Sequence, residues 1–120
     1  MLGSLLNFFQ PKIDGVEFMT PEEAKSALDS GEIKVLVDVR TPGEFSQSRL
    51  PGALHHPLDS LSSGVVKLEK FKNEEVILYC RTQQRSSMAA RYLSGMGFKK
   101  LKVITGGISG WAQMGFPLEN

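Results

Sequence analysis

The chain has 120 residues, enough for one hydrophobic core and too few for two, and its 41% hydrophobic and 22% charged content is that of an ordinary globular domain. Fourteen Lys and Arg against thirteen Asp and Glu leave a formal net charge of +1, which excludes the global positive field of a nucleic-acid or anionic-membrane binder. One cysteine excludes an internal disulfide and two adjacent histidines offer no structural zinc spacing, so a reduced, cytoplasmic protein without a metal is expected.

In chain order, MLGSLLNFFQPK comes first, with Leu2, Leu5, Leu6 and Phe9 on one face of a helical projection and Phe8 beside them. No Lys or Arg precedes the apolar part, no small-residue cleavage pattern follows it, and it is too short to span a bilayer. Residues 1–15 are therefore expected to be an apolar segment or arm packing on the domain or on a second copy, as in a homodimer, with a membrane-surface anchor as the other use. Residues 16–120 read as the domain proper.

Val16 to Met19 suits a short strand. Thr20-Pro21-Glu22-Glu23 then writes a helix start, with a Thr N-cap, Pro where a missing N–H is harmless, and Glu positioned to reach back to the Thr backbone. That helix carries Ala24, Ala27 and Leu28 on one face and is expected to stop near Gly31. Val35 to Val37 is an unbroken apolar run ending in Asp38, and Thr41-Pro42-Gly43-Glu44 repeats the helix-start device. Ala53 to His55 is a second short strand candidate.

Val76 to Tyr79 is another apolar run, ending in Cys80. A helix is expected from Ser86 to Met96, with Ala89, Tyr92, Leu93 and Met96 on one face and Gly97 as its terminator. Leu101 to Ile104 makes a further strand and Gly107 to Met114 a last short helix. Short β-branched runs without polar alternation suit strands covered on both faces, so the alternation of strand and helix predicts an α/β fold around a parallel sheet with right-handed crossovers.

In such a sheet, ligands bind beyond the carboxyl ends of the strands, where Asp38 and Cys80 both fall. A free cysteine is only about 3% thiolate at pH 7, and making it mostly thiolate requires ~2.7 kcal/mol. Backbone N–H groups curling around the sulfur, a helix N-terminus, and the guanidinium groups of Arg81 and Arg85 together supply that much. The alternative is an inert buried thiol, the commoner fate of a lone cysteine ending a strand. Arginines at the next residue and five residues on favour the nucleophile.

The stretch YCRTQQRS resembles the active-site loop of the rhodanese family, Cys-Arg-x-Gly-x-Arg-Ser. LVDVRTPGEF is similar to the family's Asp-x-Arg segment with its following Glu-Phe or Glu-Tyr, LPGALHHPL to its Ile-Pro-Gly-Ala segment, and ITGGISGWAQMGFPL to its Gly-Gly-x-x-x-Trp-x-x-x-Gly-x-Pro ending. The likeness runs from Val16 to Leu118. It implies a single rhodanese-like domain, a five-stranded parallel sheet with helices on both faces, and a sulfurtransferase that moves a sulfane sulfur through a Cys80 persulfide. It further implies Arg81, Thr82, Gln83, Gln84, Arg85 and Ser86 as the substrate-binding loop, with Asp38 and Arg40 in support and no metal or organic cofactor. The donor implied is thiosulfate or a persulfide such as glutathione persulfide. The acceptor is a thiophile or a sulfur-carrier protein.

Several expectations attach to particular residues. Asp38 is expected to brace Arg81, Arg85 or loop N–H groups, and Arg40 to pair with Glu44 at helical spacing. Gln83 stands where the family has Gly, which predicts backbone strain on the order of 1 kcal/mol and a reshaped pocket. Arg49 either lines the site mouth or is a surface residue, His55 and His56 point to opposite faces in structural roles, Trp111 packs in the core, and Lys99, Lys100 and Lys102 make a solvated strand entrance. Dual-specificity phosphatases share the fold but separate Cys and Arg by five residues, whereas four separate Cys80 from Arg85. A rhodanese-like module that binds a partner without turnover is the other alternative.

Overall fold

The computed structural model describes residues 15–120. The apolar segment of Leu2 to Phe9, and with it the expectation of an arm, a dimer contact or a membrane anchor, lies outside the described residues.

Five strands, β1 (Val16–Met19), β2 (Val35–Asp38), β3 (Leu54–His55), β4 (Val76–Tyr79) and β5 (Leu101–Ile104), form one parallel sheet in the order β1-β5-β4-β2-β3. Val35 sits beside Val76, Val76 beside Leu101, and Leu101 beside Val16, so four strands start level and end together. Helices α1 (Pro21–Ser30), α2 (Pro42–Gln47), α3 (Leu61–Leu68), α4 (Gln84–Gly95) and α5 (Gly107–Gln113) connect them, with single 3-10 turns at Leu58–Ser60 and Glu69–Phe71.

Successive strand residues point to opposite faces, and both faces are covered. Val35, Val37, Leu78 and Val103 pack with Leu61, Val65 and Leu68 of α3 and Ala89, Ala90 and Leu93 of α4. On the other face Leu36, Ile77, Tyr79 and Ile104 meet Ala24 and Ala27 of α1 and Ile108 and Trp111 of α5. β2 and β4 are buried throughout, which is why neither shows polar alternation.

Both helix-start devices form complete capping boxes. The Glu23 N–H donates to Thr20 Oγ1 at 3.1 Å and the Thr20 N–H returns to Glu23 Oε1 at 2.8 Å; Thr41 and Glu44 make the same pair at 3.3 and 3.1 Å. α1 ends on Gly31 in the left-handed region at φ 77°.

One expected helix needs correction, and one helix lies where none is expected. α4 begins at Gln84, and its buried face is Ser86, Ala89, Ala90 and Leu93, while Tyr92 and Met96 are exposed. Small residues on the inner face let the helix lie close to the sheet, and the larger side chains point outward. α3 carries no expectation at all, because Ser60 makes no capping hydrogen bond and Gly64 interrupts the run; the spacing of buried Leu61, Val65 and Leu68 was its one helical signal.

Candidate active site

β2 and β4 lie side by side, which sets Asp38 level with Tyr79 and puts Cys80 one residue beyond the sheet, under the N-terminus of α4. Gln83 caps α4 without a side-chain hydrogen bond. The sulfur takes that role: the Ser86 N–H donates to Cys80 Sγ at 3.3 Å, satisfying one of the helix's unpaired first-turn donors. Ser86 Oγ lies 3.4 Å from the sulfur and 2.9 Å from the Gln83 carbonyl, so its hydroxyl can accept from the thiol or turn to donate to a thiolate.

Among the described residues no acceptor takes the N–H of Arg81, Thr82 or Gln83. The loop from Cys80 to Ser86 is thus a bowl with three unused N–H donors, and Cys80 itself is only 1% exposed.

The loop's two arginines are placed differently. Arg85 makes a bidentate pair with Glu44, Nη1 to Oε1 at 2.6 Å and Nη2 to Oε2 at 2.9 Å. The Arg85 guanidinium, with help from Thr41 and against partial burial, holds the Glu44 carboxyl down to about 2. The capping box that starts α2 therefore also aims Glu44 at the cysteine loop. Arg81 is exposed and makes no ion pair with any described residue. It borders a groove of about 380 Å³ lined with Glu44, Gln47, Ser109 and Leu118. A smaller hollow of about 180 Å³ lies on the Arg85 side, beside Val39, Leu58 and Asp59.

Asp38 does not brace the loop, and Arg40 does not pair with Glu44. The two pair with each other: Arg40 Nη2 donates to Asp38 Oδ2 at 2.7 Å, Nε reaches both oxygens at 3.1 Å, and the Arg40 N–H donates to Oδ1 at 2.8 Å. Both side chains are buried, and a buried guanidinium takes the nearest carboxylate with matching planar geometry in preference to an exposed one. Arg40 also donates to the Ser48 carbonyl at 2.6 Å, tying α2 to β2.

Buried Tyr79 completes this layer, accepting from the Leu50 N–H at 3.0 Å while its ring lies 5.7 Å from the Arg40 guanidinium. Burial first, and then its hydrogen bond to Asp38, pushes its hydroxyl well above the ordinary tyrosine range. Sequence reasoning missed Tyr79; its place beside Asp38 on a fully buried strand was the available signal.

Gln83 is unstrained, with φ at −164°, and no non-glycine among the described residues has positive φ. The glycines carry that geometry elsewhere. At Gly107 (φ 53°) a Cβ would stand 2.3 Å from the Cys80 carbonyl oxygen, so α5 approaches the loop at a distance that excludes any side chain.

Arg49 is stacked 4.8 Å above the Phe45 ring, with its backbone bridged to Glu119. His55 stacks on Phe45 at 4.3 Å and donates from Nε2 to the Arg40 carbonyl at 2.8 Å, which fixes its tautomer. His56 packs against Gly64, and burial lowers its affinity for a proton. Trp111 is buried and donates to the Pro117 carbonyl at 2.8 Å. Lys102 pairs with Glu17 at 2.7 Å, so only Lys99 and Lys100 match the solvated cluster expected there. Among the described residues no group of His, Cys, Asp and Glu is placed to hold a metal ion, and no helix is long and apolar enough to cross a membrane.

The family model for the rhodanese-like domain matches residues 20–114. A sulfurtransferase of Allochromatium vinosum is 34% identical over 81% of this chain and 89% of its own length. Thiosulfate sulfurtransferase GlpE of Glaesserella parasuis is 36% identical over 84% of this chain and 91% of its own. The putative sulfur carrier protein YrkF of Bacillus subtilis is 33% identical over 75% of this chain, which spans about half (48%) of that longer protein.

Proposed function

This chain belongs to the rhodanese-like domain family, and from that premise we propose that it is a sulfurtransferase whose Cys80 carries a sulfane sulfur from donor to acceptor. The observation that carries this reading is the bowl: a cysteine sulfur at a helix N-terminus, already bonded by the Ser86 N–H, with the N–H groups of Arg81, Thr82 and Gln83 unused in the same loop. Converging N–H donors stabilise an anionic terminal sulfur in the way an oxyanion hole stabilises developing charge.

With thiosulfate as donor, the Cys80 thiolate attacks the outer sulfur. The Sγ–S bond forms as the S–S bond breaks, and sulfite leaves with the electron pair. Arg81, the loop cation without an ion pair, receives the sulfonate end of the donor, while Arg85 holds the loop in place through Glu44. A thiophilic acceptor then attacks the terminal sulfur, takes it, and returns Cys80 as thiolate. Transfer leaves no net oxidation, so no redox partner enters.

Thiosulfate as donor is supported by the name of the GlpE relative, and a sulfur-carrier protein as acceptor by that of YrkF. A thiol that must return to the reduced state after every turnover suits a reducing compartment, the cytoplasm.

The test is intact mass. Reduced protein is incubated with excess thiosulfate, freed of small molecules and weighed beside Cys80→Ser. Gain of one sulfur atom by the parent alone, reversed by cyanide with release of thiocyanate, is the expected result. No gain with thiosulfate removes that donor; no gain with glutathione persulfide as well refutes the sulfurtransferase reading and leaves a binding module.

A further inference from the structure

We infer that the first turn of α5, Gly107-Ile108-Ser109, positions the nucleophile loop by holding its carbonyl oxygens, so that the N–H groups of Arg81 and Thr82 stay turned toward the sulfur. This rests on the sulfurtransferase reading and deepens it. None of the three residues is placed on the sulfur; they are positioning residues.

The Ile108 N–H donates to the Cys80 carbonyl at 2.9 Å and the Ser109 N–H to the Arg81 carbonyl at 3.1 Å. A trans peptide is planar, with its C=O and N–H pointing in opposite directions. The Cys80 carbonyl shares a peptide plane with the Arg81 N–H, and the Arg81 carbonyl shares one with the Thr82 N–H. Pinning the two carbonyls to α5 therefore points the two N–H groups away from α5.

That direction is the sulfur's. Cys80 packs in the core cluster of α4, on one face of the sheet, and its Sγ bonds Ser86 of that helix. α5 packs on the opposite face, with Ile108 and Trp111 in the other cluster. The same two bonds satisfy first-turn donors of α5 that no N-cap side chain reaches, since Gly106 caps the helix.

The brace has its own support. A Cβ at Gly107 would stand 2.3 Å from the Cys80 carbonyl oxygen and 2.7 Å from that of Arg81, so the approach requires glycine. Gly110, one turn on, is set less tightly: a Cβ there would lie 3.3 Å from the Pro21 ring, where α5 packs against α1. The loop is thus held from both sides, by Glu44 through Arg85 and by α5 through the backbone.

The test compares Ser109→Pro, which removes one N–H at a first-turn position where Pro is tolerated, with Gly107→Ala and with Gly115→Ala. Gly115 also has positive φ (76°) but nothing within 4 Å, so its variant carries backbone strain without touching the loop. Iodoacetamide alkylation of Cys80 at pH 7 and pH 10, sulfur loading from thiosulfate, and thermal melting are measured for each. Losing one donor to a charged sulfur corresponds to at least about a tenfold change. Ser109→Pro and Gly107→Ala are expected to slow alkylation at pH 7 and sulfur loading by that factor while staying within about twofold of the parent at pH 10.

Gly115→Ala is expected to lower the melting temperature and leave both rates unchanged. Parent-like rates at pH 7 in folded Ser109→Pro would overturn the inference. Amide exchange in the parent protein tests it without a variant: Ile108 and Ser109 amides are expected to be protected, and exchange as fast as free loop amides refutes the brace. If thiosulfate loads no sulfur on the parent, the proposed reaction falls, while the alkylation and exchange measurements still decide the brace.

Discussion

Glu44→Gln isolates the clamp on the cysteine loop. Gln still serves the capping box at this position, so α2 keeps its start while the bidentate charge pair with Arg85 is lost. A fall of the Glu44 carboxyl from its ordinary 4.5 to about 2 corresponds to roughly 3 kcal/mol before screening. Both side chains are about a third exposed, at 30% and 32%, and solvent screening reduces the net stabilisation to roughly 1 kcal/mol. For a domain of this size that is a loss of about 4 °C in Tm.

The sign of the pH dependence follows from a depressed carboxyl. The stabilisation is fully present above about 4.5 and is lost as pH falls from there through about 2, because only the unfolded chain binds the proton in that window. Urea melts at pH 7 and pH 3 for the parent, Glu44→Gln, Arg85→Gln and the double variant measure this. The expected coupling is about 1 kcal/mol at pH 7 and smaller at pH 3. Strict additivity of the two single variants at pH 7 would refute the clamp.

Asp38→Asn leaves the Arg40 guanidinium buried without its counter-charge, and the expected destabilisation is roughly 3–5 kcal/mol by chemical denaturation. Arg81→Ala removes an exposed cation that pairs with no described residue, so Tm is expected to hold within about 1 °C while KM for thiosulfate rises about tenfold in steady-state kinetics. Tyr79→Phe orphans the buried Leu50 N–H at a cost of about 1–3 kcal/mol, read as a lower urea midpoint.

β2 and β4 were legible because burial on both faces removes polar alternation, while β1 and β5 each keep one charged residue, Glu17 and Lys102, within a short apolar stretch. The starts of α1 and α2 were legible because a capping box is a local device. α3 and the inner face of α4 were not, since their burial depends on small or unremarkable residues such as Ser86, Ala89 and Ala90 meeting a sheet built from distant segments. At the site, Cys80 could be read from its neighbours in sequence. The partners of the charged groups could not: helical spacing matched Arg40 to Glu44, but Glu44 meets Arg85, 41 positions away, and Arg40 turns back to Asp38 two residues before it. Which acid an arginine takes is decided by burial, and burial is a property of the assembled fold.

That choice of partner bears on what the bowl can hold. Phosphoryl transfer at a cysteine over a helix N-terminus must stabilise several non-bridging oxygens at once, which calls for a longer loop and a guanidinium turned inward. Here the loop has four residues between Cys80 and Arg85, and the Arg85 fork is occupied by both oxygens of Glu44. The groups placed on the sulfur are the Ser86 N–H and the Ser86 hydroxyl, both directed at a single atom. A persulfide needs its charge stabilised at one atom, whereas a phosphoryl group needs it spread over several. With Arg85 bound to Glu44 and Arg81 outside at the groove, the unpaired guanidinium is set apart from the Ser86 groups on the sulfur, a division that suits the proposed sulfur transfer.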